Sequence, residues 1–384
     1  ADRCPIATDL LCIGDHAVLR KASFLTGYRA ENGYIEIGPI DIGRNALVGE
    51  VSLVDINTTI GDEGQLGHAS TLLDGQSIPA GERWHGSPAR ETDTEFRHLP
   101  HHESSRLRRS LYATARLLVV LGGSTAFLAL AAAAVATGSA GTESGLTFSF
   151  VQVLGASLAL FATVYLGAFL LHVTAPRLLR LMLVPGKVYP LYGFRHFLAQ
   201  LIGWLGRSVM FQQLFGDSSA IVHYLRWLGV RQPNVKQTGS NFGIWMAYDS
   251  PCDVEIGSGS MISDGVTFIN FEVGSGTFRI AQSRVGADCF VGNTVAISSQ
   301  ARLGNNCLVG TKTMVPVDGE VRENVGLLGS PAFEIPREVV NGQRFNPVPT
   351  TAEERSRLAA KNAFNLRTAA LHLLAQWALL FGLM

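Results

Sequence analysis

"VSLVDINTTIGDEGQLGHASTLLDGQSIPAGERWHGSPAR", residues 51–90, places an apolar residue at Val54, Ile60, Leu66, Leu72, Ile78 and Trp84. Each is the sixth residue after the one before. Six is a whole number of strand periods and no simple multiple of a helical turn, so the stretch predicts strands rather than helix. The frame extends back through Val48 and Ile42. Two residues before most of these positions stands a small residue: Ala46, Ser52, Thr58, Gly64, Ser70. Glycine follows several of them, at Gly43, Gly49, Gly61 and Gly67. The pattern predicts a parallel β-helix of hexapeptides, three hexads closing one coil of about 18 residues. The aliphatic residue points inward, the small residue fits beside it, and Gly, Asn or Asp is expected at corners that need left-handed backbone.

A second series runs through Val285, Val291, Ile297, Leu303, Val309, Val315, Val321 and Leu327. It repeats the first at a constant displacement, Val285 standing for Ile42 and Leu327 for Trp84. Ile13, Leu19 and Leu25 match Ile256, Ile262 and Phe268 at the same displacement. Both series break phase at the same place, between Leu25 and Ile42 and between Phe268 and Val285. "GSPA" closes both, at 86–89 and 329–332. The reading is a tandem duplication with an insertion loop in each copy. Cys289 and Cys307 fall in inward slots and are expected to be core filler. The five cysteines form no C-x-x-C pair, and an odd count in a 384-residue chain argues against a disulfide framework. The start of the chain lacks an apolar run after a basic segment, so no signal peptide is expected.

Between the copies the composition changes. Residues 117–137 and 146–173 contain no Asp, Glu, Lys or Arg, and each is long enough to cross about 30 Å of hydrocarbon. Arg106, Arg108, Arg109 and Arg116 precede the first stretch; Arg177, Arg180 and Lys187 follow the second. The loop at 138–145 has no Lys or Arg, so both copies are expected on the cytoplasmic side of an inner, multi-pass membrane protein. A third apolar stretch spans 369–384. The expected organisation is a first β-helix at 1–93 and a linker and helix entry at 94–116. Two transmembrane helices follow at 117–173, then an interfacial or packed helical connector at 174–235. The second β-helix covers 236–340, a linker 341–368, and 369–384 starts a third membrane helix. Balanced charge, 31 basic against 31 acidic residues, gives no reason to expect nucleic acid. With no Asp, Glu, Lys or Arg inside either full span, transport is disfavoured. No His/Cys spacing suggests a metal and no Gly-rich phosphate loop follows a strand.

The glycine-flanked hexads and the closing "WHGSPAR" resemble the left-handed β-helix acyltransferases. Tandem hexapeptide units joined by paired membrane helices are similar to the C-terminal region of poly-ε-lysine synthetase-type, nonribosomal peptide synthetase-like proteins. The stretches that carry this are "GYRAENG" with "GPI", "VDINTTIGDEGQLGHAS", "GERWHGSPAR" and "VGLLGSPAFEIPR". The fold class this implies is a mixed membrane protein: two left-handed parallel β-helix domains linked by transmembrane α-helices. The resemblance implies an acyl- or aminoacyl-transfer module that forms amide bonds in an amino-acid homopolymer. It implies no cofactor held by this chain. The donor would be a carrier-bound phosphopantetheine thioester or acyl-CoA. The implied partners are membrane lipid, the synthetase's adenylation and carrier domains, and a further repeat completing a pseudo-trimer. A non-catalytic scaffold that docks the carrier domain and a free-standing CoA-dependent acyltransferase are the alternatives.

In that family a His commonly serves as general base, with the site between neighbouring β-helices. Aminolysis of a thioester needs a proton acceptor and donors for the oxyanion. His68 stands two residues after inward Leu66, at an expected coil corner, and the second copy has Thr311 there. His85 is expected to cap the closing turn; His98, His101 and His102 are expected to be solvated in the linker. Family insertion loops wall the acceptor site, which points to Tyr28, Arg29 and Glu31 in the first copy. In the second copy it points to Asn270, Glu272 and Arg279. Among these, His68, Glu272 and Asn270 are the catalytic candidates; Tyr28, Arg29, Glu31 and Asp55, a single carboxylate in "VDIN", are the substrate-binding ones.

Overall fold

The computed structural model describes residues 8–122, 125, 149–215, 218–233, 237–239, 241–337 and 351–382. In the first copy, short strands pass in rotation through three parallel sheets. Leu47 pairs with Gln65, Leu53 with Thr71 and Thr59 with Ser77, so each strand hydrogen-bonds the third strand after it, one coil further on. The expected stacking frame is therefore the pairing register. Val54, Ile60, Leu66, Leu72 and Ile78 are buried inside the stack, with Ala46, Ser52, Thr58 and Ser70 buried beside them. In the second copy Val285, Val291, Ile297, Val309, Val315 and Leu327 do the same, with Cys289 and Cys307 free and buried. Val321 departs from the frame and is exposed.

The insertions are two antiparallel hairpins, Tyr28–Glu31 with Tyr34–Ile37 and Phe271–Val273 with Thr277–Ile280. They lengthen one coil in each copy, so Ile13 pairs with Ile42 and Ile256 with Val285. The two lengthened registers correspond strand for strand, as a duplication requires.

The corners meet expectation at Asn45, Asn57, Gly75 and Gly81 and depart from it at Val51, Glu63 and Ala69. Left-handed backbone falls at Asn45, Val51, Asn57, Glu63, Ala69, Gly75 and Gly81, at every sixth position. That is two residues past Gly43, Gly49, Gly61 and Gly67. Those glycines are small because the coils stack tightly. A Cβ on Gly43 would lie 2.5 Å from the Asp62 amide nitrogen, and one on Gly49 2.5 Å from the Gly67 carbonyl carbon. The corners themselves accept Val, Glu and Ala, at a steric cost that the stacked hydrogen bonds on either side offset.

Phe150–Arg180 is a 31-residue helix opened by a reciprocal Ser149/Gln152 cap and ended by Arg177 and Arg180. It is long and apolar enough to cross a membrane, with a mean hydropathy of 2.0 and only 11% of that window buried. A helix also runs through 106–122. The rest of the first expected span, apart from residue 125, and the loop at 138–145 lie outside the described residues. The expected linker 341–368 is corrected in part: Thr351–Gly382 is one 32-residue helix. It leans on the Phe150–Arg180 helix through Trp377 and Ser157, 3.2 Å apart.

The connector forms Phe194–Gly206, Val209–Phe215 and Ile221–Leu228. Phe211, Tyr224, Leu225 and Leu228 join the second copy's core, so the connector plugs the start of that stack. A bidentate ion pair from Arg180 to Asp253, at 2.5 and 2.6 Å, ties the long helix to it.

Candidate functional site

The two copies meet head to tail. The second copy's hairpin lies on the first copy's strand stack, and the residues between them form a cleft lined by Arg20, His68, Phe96, His98, Glu272 and Gln300. The copy-two closing turn also touches copy one. Ser87 donates its amide to the Ser330 carbonyl at 2.8 Å, and Ser330 Oγ donates to the Ala69 carbonyl at 2.9 Å.

Arg20 organises the junction. Its Nε donates to Glu50 at 2.9 Å, while Nη1 and Nη2 reach the hairpin carbonyls of Val273 at 3.1 Å and Phe271 at 3.4 Å. Both Arg20 and Glu50 are buried. Burial pushes the Glu50 carboxyl up and Arg20 pulls it back. A buried charge pair of this kind is costly to break from one side, because the remaining charge loses its partner.

His68, expected at a coil corner, lies one residue before the corner and is 6% exposed. The left-handed corner is Ala69, one residue on, and this turns the imidazole into the inter-copy space. The Glu50 amide donates to His68 Nδ1 at 3.0 Å. A neutral imidazole accepting at Nδ1 carries its proton on Nε2. Burial, with Arg20 and His85 nearby, holds the His68 pKa well below the ordinary imidazole range. At neutral pH the ring is therefore an Nε2–H donor with no spare lone pair. That alters the expected chemistry: this His68 can polarise a carbonyl or hold an oxyanion but is not placed as a base.

The other expected residues separate into three groups. Glu272 is buried in the cleft, not solvated at a loop tip. It pairs with Arg279 at 2.5 Å, accepts from Ser299, and takes a 3.4 Å bond from Gln300. Asn270 spends its amide on one backbone turn: Oδ1 accepts from Asp249 and Ser250 at 3.0 and 3.1 Å, and Nδ2 donates to the Ser250 carbonyl at 2.7 Å. It is a clamp beneath the hairpin and does not line the cleft. Tyr28, Arg29 and Glu31 lie on the first copy's own hairpin, Asp55 lies on the stack beside it, and none of the four lines the cleft. Arg29 bonds Asp55 at 2.8 Å and lies 3.4 Å from Asp74.

The linker is a part of the site that spacing did not foretell. Phe96 packs edge-on to His68, 5.9 Å between centroids, and against His85 at 5.2 Å. Pro100 accepts from Thr277 Oγ1 at 2.7 Å, and the His102 amide donates to the Ser275 carbonyl at 2.9 Å. His98, expected in solvent, lines the cleft; burial lowers its pKa while Glu272 and Glu95 raise it. The linker closes the cleft to a volume of about 20 Å³, room for about one water.

Arg20, Glu50 and Phe96 carried no motif. The first two did carry a signal. In the alignment of the two copies, Arg20, Glu50 and His68 stand opposite Ser263, Asn293 and Thr311. The contacting face of copy one is ionisable at three positions where copy two is neutral.

No family model matches this chain. Over 81 residues it is 30% identical to a delta-poly-L-ornithine synthetase of Acinetobacter baumannii (strain AB307-0294). The match covers 21% of this chain and 6% of that protein's length. It is a partial similarity that points to a related amino-acid homopolymer synthetase.

Proposed function

We propose that this chain is a membrane-bound acyl- or aminoacyl-transfer module of a nonribosomal peptide synthetase-like enzyme. In this reading its two strand stacks are left-handed parallel β-helices on the cytoplasmic side, and transfer takes place where they meet, with the linker around Phe96 drawn aside to admit thioester and amine. The observation that carries the proposal is the neutral, pre-oriented Nε2–H of His68, present in one copy only and placed where the two copies meet. The donor is a thioester on a carrier's phosphopantetheine arm or on CoA, supplied by adenylation and carrier domains. An amine attacks the thioester carbonyl, and the oxygen that gains charge is held by His68. The Glu272–Arg279 pair orders the cleft wall, and His98, within Coulombic reach of Glu272, takes a proton from the attacking amine. The thiol leaves with a proton as the amide forms. The similarity to a polyornithine synthetase supports a cationic amino acid as the monomer.

The test is polymer formation by membranes containing the full protein. His68→Asn keeps an acceptor near the Nδ1 position and removes the Nε2–H donor. It should lower the rate about 10²–10³-fold, the usual effect of losing one oxyanion donor. Glu272→Gln and His98→Gln should each lower it as well. Unchanged rates in all three would remove the cleft from the chemistry.

One observation favours a second reading, a non-catalytic scaffold that docks the carrier domain. The cleft is closed around a buried ion pair, as a purely structural interface would be. Under that reading the variants change carrier binding and not turnover.

The contacts between copies also support a pseudo-trimer. The interface is head to tail, so each copy has one surface that gives a hairpin and one that receives it. Copy one's hairpin is unused, with Tyr34 80% and Ile35 71% exposed. Copy two's receiving face, around Asn293 and Thr311, is exposed too. A third homologous unit would fill both.

A further inference from the structure

At the foot of the helix through 106–122, two cavities adjoin and share Arg108, Gly193 and Phe194. One, of about 480 Å³, has Arg108 and Arg195 on its walls with Met182 and Leu198. The other, of about 530 Å³, is an open trough walled by Leu107, Leu111, Val119 and Phe197. Among the described residues, no Asp or Glu lines either cavity. Arg195 lies over the Tyr189 ring at 4.9 Å, and Arg108 Nε donates to the Tyr192 carbonyl at 3.3 Å, so both guanidiniums are held at the mouth. The helix Phe194–Gly206 begins here with no side-chain cap on its first amides. Positive charge at one end and an exposed apolar trough at the other is an amphipathic shape, and its charge is all of one sign.

We propose that this groove binds one anionic phospholipid. Its phosphate sits between Arg108 and Arg195 at the first turn of the helix, and an acyl chain lies along Leu107, Leu111 and Val119. A free phosphate shares the headgroup chemistry but would leave the trough in water. A zwitterionic lipid would bring a second cation toward the arginines. The inference rests on the membrane reading above, in which this end of the long helices lies at headgroup level. Two arginines at that level favour an anionic over a zwitterionic headgroup by about tenfold or more.

The test is native mass spectrometry of the full protein released from vesicles of phosphatidylglycerol and phosphatidylcholine in equal parts. The expected result is retained phosphatidylglycerol, about tenfold over phosphatidylcholine, abolished in the Arg108→Gln/Arg195→Gln variant. Leu111→Glu blocks the trough without touching either arginine. Its position is exposed, so the fold should survive, and it should lose the lipid too. Equal retention of both lipids by the wild type overturns the proposal, as does undiminished phosphatidylglycerol in both variants. Inorganic phosphate that displaces the bound lipid at millimolar concentration would also overturn it, since the acyl chain would then contribute nothing. Failure of the protein to enter phosphatidylcholine vesicles is a separate result, which would overturn the membrane reading itself.

Discussion

His68 bears most of the account, and its two nitrogens can be tested apart. Nδ1 supports the Glu50 amide; Nε2–H, on a ring that lines the cleft, has no protein partner among the described residues. His68→Asn should keep folding and lose transfer, while His68→Gln, which reaches the Nε2 position, should keep part of the transfer and lose stability. Equal loss of both properties in both variants would mean that the ring is simply packing. The same burial predicts a pH dependence. The folded pKa is depressed, so below about pH 6.5 the unfolded chain takes up a proton that the folded site refuses. Stability therefore falls on acidification, by about 1.4 kcal/mol per pH unit for this group, until the folded pKa is reached. His85 and His98 are depressed by burial as well and act in the same direction. Thermal unfolding at pH 7.5 and 5.5 should show a smaller acid loss in His68→Asn than in the wild type. That His68 differs from its counterpart Thr311 was legible in the sequence. Its tautomer was not, because the tautomer is set by the amide of Glu50 in the neighbouring coil.

Among the elements, the strand stack was the most legible part, because its inward residues recur with the period of the pairing itself. The left-handed corners fall two residues past Gly43, Gly49, Gly61 and Gly67, for a reason that predicts its own test. Gly43 is constrained by a neighbouring backbone 2.5 Å from any Cβ, whereas Gly75 has open space and a left-handed φ of +73°. Gly43→Ala should cost about 1–3 kcal/mol, as overpacking against backbone does. Gly75→Asn should cost much less, since Asn tolerates that backbone. Denaturant unfolding of the two variants compares them directly, and equal costs would refute the stacking explanation. The tie between the long apolar helix and the second copy is similarly exposed to test. Asp253 accepts both Arg180 bonds and a 2.5 Å bond from Ser250 Oγ, and it is buried. Asp253→Ala should destabilise the second copy by about 3–5 kcal/mol, read by denaturant unfolding. Nothing in the local sequence marked this pair, whose members lie far apart along the chain and on different elements.

For the whole molecule, the duplication was readable from spacing alone, but not how the copies face one another. That depends on which hairpin finds a receiving surface. The hairpins differ by a charge swap: Arg29 opposite Glu36 in copy one, Glu272 opposite Arg279 in copy two. The Glu272 hairpin meets the Arg20 face, and the Arg29 hairpin turns back to its own Asp55 and Asp74. If a third unit completes a ring, Ile35→Glu on the free hairpin should weaken its docking while leaving the isolated stack within about 0.5 kcal/mol of wild type. Cross-linking from a cysteine at position 34 would report the contact, and an unchanged yield in Ile35→Glu would contradict it. The central claim remains that the cleft turns over an acyl thioester rather than merely holding its carrier. Single-turnover decay of a carrier-bound aminoacyl thioester, with an amine acceptor and the full protein in membranes, measures this. The account predicts amine-dependent thioester loss in the wild type, and carrier binding without that loss in His68→Asn. A thioester that binds and persists equally with both proteins would contradict it.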